Sequence, residues 1–126
     1  MEYLNKVLGI EVTYEDVEFK HLPNFIVTRY RLQMASMNGK KVIFLYPKTE
    51  LDQIAVLKKH IARIQKNENK PIVLVLNKLG FRQKEYLIRE RIPFIVEGKQ
   101  IYLPFMALYL QERCDAERKS REVILP

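Results

Sequence analysis

The run PIVLVLNKLG, residues 71–80, carries an apolar segment into Asn77-Lys78. In guanine-nucleotide-binding chains such a strand continues as Asn-Lys-x-Asp: the Asp carboxylate accepts two hydrogen bonds from the guanine edge and the Lys stem packs on the base. The Asp position here is Gly80, and Gly9, Gly39, Gly80 and Gly98 nowhere form the G-x-x-x-x-G-K-[ST] loop that cradles phosphates. Asn77-Lys78 therefore reads as a polar turn after a core strand. A second half-motif is Glu97-x-Lys99 in VEGKQ. Nucleases pair such a Glu-x-Lys with a further carboxylate to hold a divalent metal and lower the pKa of a water. Residues 72–76 offer no carboxylate, and Asp52 is explained more simply by the dipole of a helix whose first turn it occupies. Glu97 to Lys99 thus reads as a tight turn with Gly98 at its tip. Third, LKKHIARIQK places Lys59, Arg63 and Lys66 at i, i+4 and i+7, one helical face that could touch successive phosphates, although exposed faces of amphipathic helices are ordinarily charged. His60 beside this stripe is read as a surface residue. Ser36 and Ser120 lie in no G-x-S-x-G elbow, Cys114 has no identifiable base, and His21, His60 and Cys114 lack zinc-ligand spacing. No catalytic residue, metal site or cofactor signature is expected.

These residues need elements to hold them. RYRLQMASMNGKKVIFLYP sets Asn38-Gly39 between two extended runs, the strongest two-residue hairpin signal because both central residues take φ > 0. That turn puts Met34 opposite Ile43, Leu32 opposite Leu45, Ala35 opposite Val42 and Gln33 opposite Phe44. Both faces of the second strand are then apolar, which predicts an interior strand. Beyond Pro47 the spacing of Ile54, Leu57, Ile61 and Ile64 predicts an amphipathic helix, with Thr49 as N-cap and Glu50 and Asp52 in the first turn, ending in the polar residues before Pro71. Residues 72–76 read as a buried strand, residues 81–91 as a second helix with Leu87 and Ile88 inward, and Phe94 to Val96 as a third core strand. The turn at Glu97 to Lys99 leads into Ile101-Tyr102-Leu103, and Pro104 is expected to start a last helix carrying Phe105, Leu108 and Tyr109. A weak helix is read over the first eight residues. The fold class is α/β: a mixed sheet with an N-terminal hairpin, a βαβαβ unit and a C-terminal helix. Ligands of such sheets bind beyond the C-terminal strand ends, so the expected pocket rim is Lys48, Asn77, Lys78, Glu97 and Lys99.

The 126 residues suit one compact domain, and no apolar run approaches the roughly 18 residues of a membrane span. The N-terminus has an early acid and no long apolar stretch, so a cytoplasmic location is expected. The net charge of +7 is uneven. Residues 1–24 carry two Lys/Arg against five Asp/Glu, whereas residues 25–126 carry twenty against ten. Solubility, with the acidic leading segment lying against the basic body, accounts for this; so does attraction to nucleic acid, which a basic surface provides without sequence specificity.

LPNFIVTRYRLQMASMNGKKVIFLYPK and IPFIVEGKQIYLPFMALYLQER together resemble the amino-terminal region of bacterial MarR-type winged-helix transcriptional regulators, over about residues 22–113. The resemblance implies an α/β region that precedes a DNA-reading winged helix and brings no catalytic residues of its own. It frames an acidic segment 1–21 packed on the domain, an α/β domain 22–113, and a polar exit or linker 114–126 toward a winged helix outside these residues. The reading is a non-catalytic regulatory or assembly domain of such a regulator. A stand-alone nonspecific nucleic-acid-binding module and, behind it, a metal-dependent nuclease remain the alternatives. The partners expected are DNA, reached through a further C-terminal domain or weakly through the basic face, and a second copy of the chain in a homodimer. No membrane partner is expected.

Overall fold

Burying apolar strands requires their backbone N–H and C=O groups to be paired, and a sheet meets both demands at once. The computed structural model describes residues 2–51, 53–106, 108–112 and 121–124, and the chain divides into two units, Met1–Ile72 and Val73–Pro126. Together they make an α/β protein containing a mixed sheet.

In the first unit, helix α1 (Glu2–Leu8) is anchored by the buried Leu4. It ends at Gly9, whose φ of 67° suits glycine and whose N–H donates to the Asn5 carbonyl at 2.9 Å. Strand β1 (Val12–Glu15) comes next, then helix α2 (Asn24–Arg29), which runs directly into strand β2 (Tyr30–Met37). The hairpin to β3 (Lys40–Pro47) has the expected turn, with φ of 50° at Asn38 and 86° at Gly39. Its register is the expected one: Leu32 faces Leu45, Gln33 faces Phe44, Met34 faces Ile43 and Ala35 faces Val42. Val42 to Leu45 are all fully buried, which places both faces of β3 in the interior. β1 pairs antiparallel with the other side of β2, from Val12 opposite Met37 to Glu15 opposite Met34. The acidic leading segment thus contributes a strand, and Lys41 Nζ lies 3.4 Å from Glu15 Oε1.

Helix α3 (Ile54–Asn67) starts later than its sequence predicts. Thr49 does not cap it: the N-cap is Gln53, no side chain caps it, and no acid lies in its first turn. Glu50 is exposed outside the helix, and Asp52 lies outside the described residues. The helix begins where its apolar stripe begins, since burial of that stripe, rather than a cap, supplies most helical stability.

Strand β4 (Ile72–Leu76) crosses into the second unit, and all five of its residues are buried. It leads through helix α4 (Phe81–Arg89) to strand β5 (Phe94–Val96), parallel to β4 with Leu74 opposite Phe94 and Leu76 opposite Val96. The turn at Glu97-Gly98-Lys99, with Gly98 at φ 78°, brings strand β6 (Gln100–Leu103) back antiparallel to β5. The described residues from Pro104 onward do not form the expected C-terminal helix. Pro104–Met106 make a single 3₁₀ turn, and strand β7 (Leu108–Glu112) returns antiparallel to β6 with Leu103 opposite Leu108. A helix there would leave one edge of β6 unpaired, and its few residues are too short to hold a helix alone. Of the expected linker, Arg121–Ile124 form strand β8, antiparallel to β7, while residues 114–120 lie outside the described residues. No described helix is long and apolar enough to cross a membrane.

Candidate nucleic-acid interface

The polar side of α3 has one sign of charge. Residues 54–67 contain Lys58, Lys59, Arg63 and Lys66 and no Asp or Glu. The helix is oriented by Leu57, His60 and Ile64, all buried, and this turns Lys59 and Lys66 to solvent. Arg63 is half-buried and held: its guanidinium donates to Asn67 Oδ1 at 2.7 Å and to the His21 carbonyl at 3.5 Å. A guanidinium has five N–H donors, so this anchoring fixes its place and leaves donors for an anion. The predicted trio does share one face, with two exposed ammonium groups flanking one positioned fork.

His60 is not a surface residue. It is 7% exposed, and its Nδ1 lies 2.6 Å from Tyr30 Oη in a buried hydrogen bond that ties α3 to β2. The His60 ring also sits against Phe25 of α2, centroid to centroid 5.6 Å. The spacing carries the signal for this. His60 stands three residues after Leu57 and four before Ile64, so it shares their face, and only its polarity argues for the surface.

The expected pocket rim is partly assembled. Because Leu76 and Val96 are opposite one another on parallel strands, Asn77-Lys78 and Glu97-Gly98-Lys99 leave the second unit's sheet at the same end. Asn77, Lys78, Glu97 and Lys99 lie there, all four exposed in polar turns. Lys48, in the first unit, is exposed; its Nζ donates to the Val27 carbonyl at 3.1 Å and its N–H to the Arg29 carbonyl at 2.9 Å. None of the five lines the cavity of about 370 Å³ beside β1 and β2, whose walls include Tyr14, Glu15, Asp16, Arg31 and Gln33. Several polar groups there are already engaged: Arg31 stacks 3.9 Å from the Tyr46 ring centroid, Tyr46 Oη donates to Gln33 Oε1 at 2.9 Å, and Glu15 Oε1 lies 3.4 Å from Lys41 Nζ. Its mixed charges define no ligand class. Among the described residues no three His, Cys, Asp or Glu side chains converge as metal ligands would.

Helix α4 holds aromatic as well as charged side chains on its outward side. Its N-cap is Gly80, whose N–H donates to Gln83 Oε1 at 3.1 Å. Arg91 at φ 56° ends it two residues before Pro93, and its last residue is Arg89 rather than the expected residue 91. Leu87 is fully buried and Tyr102 Oη of β6 donates to the Ile88 carbonyl at 3.4 Å, which fixes the opposite side outward. On that side Phe81 is 72% exposed and Tyr86 47% exposed. Arg89 Cζ sits 5.2 Å from the Tyr86 ring centroid and Lys84 Nζ 6.0 Å from that of Phe81.

No family model, curated protein or solved structure matches this chain.

Proposed function

We propose that the chain is a non-catalytic regulatory or assembly domain of a MarR-type winged-helix transcriptional regulator, acting in the cytoplasm. In this reading the operator is recognised by a winged helix outside these residues, and this domain adds phosphate contacts from α3. The observation that supports it is the unbroken positive charge on the polar side of α3. A face shaped for solubility alone ordinarily interleaves both signs, since pairs of opposite charge four residues apart stabilise an exposed helix. Lys59 and Arg63, four residues apart, and Arg63 and Lys66, three apart, repel one another by comparable amounts, and a polyanion offsets that repulsion.

The test is fluorescence anisotropy of two unrelated DNA duplexes across a salt series. Binding is expected to be weak, with dissociation constants of roughly 10⁻⁴ to 10⁻⁶ M at physiological salt, and indifferent to sequence, because phosphate contacts carry none. Each phosphate neutralised adds about 0.9 to the slope of log affinity against log salt. Lys59→Ala with Lys66→Ala should therefore flatten that slope by about 1.8. Between about 50 and 200 mM salt the variant then loses roughly twelvefold less affinity than the parent. Arg63→Ala added to the pair should remove at most about 0.9 more, as its guanidinium is already held by Asn67 and His21. Nanomolar affinity at about 150 mM salt, or a strong preference for one duplex, would overturn the accessory role in favour of an independent binder. An unchanged slope in the double variant would remove α3 from the interface.

A further inference from the structure

We propose that the outward face of α4 binds single-stranded nucleic acid, with Phe81 and Tyr86 as platforms for unpaired bases and Arg82 and Arg89 as contacts to the strand's phosphates. This rests on the reading that the chain works at DNA, but it uses a different helix and a different chemistry.

A nine-residue helix with one fully buried anchor, Leu87, leaves two aromatic rings in water, one of them 72% exposed. Phenylalanine at such a position gives up most of the stabilisation that burying it would bring, so folding alone does not account for it. At about 100° per residue, positions 81 and 86 lie about 140° apart on the helix surface, and positions 82, 85 and 89 fall between them. The exposed face therefore runs Phe81, Glu85, Arg89, Arg82, Tyr86: two flat rings at its margins, with two guanidinium groups and one carboxylate between. Along the axis positions 81 and 86 are about 7.5 Å apart, and the roughly 140° of helix surface between them sets the rings farther apart than that through space. Rings at that separation can each receive a base while the backbone crosses the arginines.

The charge fits this occupant. Residues 78–91 carry Lys78, Arg82, Lys84, Arg89 and Arg91 against Glu85 and Glu90. Basic residues interleaved with exposed aromatics are what a single strand requires: the cations track the phosphates, while stacking serves any base because every base has a π-face. A duplex keeps its bases stacked inside and offers these rings nothing. The cations already adjacent to both rings, Arg89 at Tyr86 and Lys84 at Phe81, would flank each stacked base.

The experiment is fluorescence anisotropy of a labelled oligothymidine about 16 nucleotides long against a duplex of equal length, using the whole chain. Anionic phosphatidylserine vesicles form a third arm. The single strand should bind more tightly than the duplex. Phe81→Ala and Tyr86→Ala should each weaken it by about 5- to 150-fold and leave the duplex unaffected. Tyr86→Phe, which keeps the ring, should retain binding. Arg82→Ala and Arg89→Ala should each lower the salt slope on the single strand by about 0.7. Phe81, Arg82, Tyr86 and Arg89 are all exposed, so their removal takes nothing from the core, and an unchanged circular dichroism melt verifies that each variant folds. Failure here and failure of α3 are distinguishable, because Lys59→Ala with Lys66→Ala acts on the duplex arm and the aromatic variants on the single-strand arm. Alanine variants that bind the oligonucleotide like the parent, a preference for duplex, or binding to vesicles alone would overturn the proposal.

Discussion

Replacing Tyr30 by Phe removes one oxygen from the contact that fixes α3. The hydroxyl lies 2.6 Å from His60 Nδ1, while the rings meet edge to face at 5.5 Å and 77°, so the packing survives and the hydrogen bond does not. Tyr30 is 3% and His60 7% exposed, which leaves little room for water to take the hydroxyl's place. A typical hydrogen bond contributes about 1 kcal/mol net, and depriving a buried partner of its bond costs about 1–3 kcal/mol. Tyr30→Phe should therefore destabilise the protein by about 1–3 kcal/mol. Tyr46→Phe is the internal comparison: its hydroxyl donates to Gln33 Oε1 at 2.9 Å in a part-buried setting, where water can substitute, and the loss should be about 0.5–1 kcal/mol. Urea unfolding followed by circular dichroism gives both values, provided the slopes against denaturant match that of the parent. If Tyr30→Phe stays within about 0.5 kcal/mol of the parent, the range of an ordinary surface change, or costs less than Tyr46→Phe, then His60 is not held by that bond and α3 is positioned by its apolar stripe alone.

Two further perturbations address the hairpin and the half-motif. Gly39→Val forces a β-branched residue to φ near 86° and should cost on the order of 1 kcal/mol or more; a melting temperature equal to the parent's would contradict the turn's role. Calorimetric titration of GTP and ATP with magnesium should show no micromolar binding, since Gly80 caps α4 in place of a base-binding Asp; micromolar binding of either would restore Asn77-Lys78 as a nucleotide site.

How far the sequence carries the structure depends on how local the deciding force is. The hairpin register follows from two residues, because Asn38-Gly39 restricts the turn to conformations with positive φ and so fixes each cross-strand partner. The buried strands Ile72–Leu76 and Phe94–Val96 follow from uninterrupted apolar runs. The expectations that fail depend on a neighbour distant in sequence. Phe105, Leu108 and Tyr109 have helical spacing taken alone, yet the free edge of β6 draws Leu108–Glu112 into the sheet. Thr49 is a good cap by type, yet the helix begins at Ile54 because its apolar stripe begins there. Polarity alone puts His60 outside, and Tyr30, thirty residues earlier, supplies the hydrogen bond that makes its burial tolerable.

The candidate interface shows the same division. Charge is a property of each residue, so the cationic side of α3 can be written down from spacing. Exposure is a property of the fold: FRQKEYLIRERI alone does not tell whether Phe81 and Tyr86 are core residues or surface ones, since aromatics are ordinarily buried. The buried Leu87 and the bond from Tyr102 to the Ile88 carbonyl decide it by fixing which side of α4 faces the sheet. This difference also governs how the two helices should respond to salt. Contacts made by ammonium and guanidinium groups to phosphates weaken as counterions compete, whereas a base stacked on Phe81 is held mainly by dispersion and by removal of apolar surface from water, and neither is screened. Duplex binding through α3 should therefore vanish at salt concentrations where a single strand on α4 still responds to Phe81→Ala. If the aromatic variants instead lost their effect in step with the lysine variants, both helices would be acting through charge alone, and the rings of α4 would belong to some other contact.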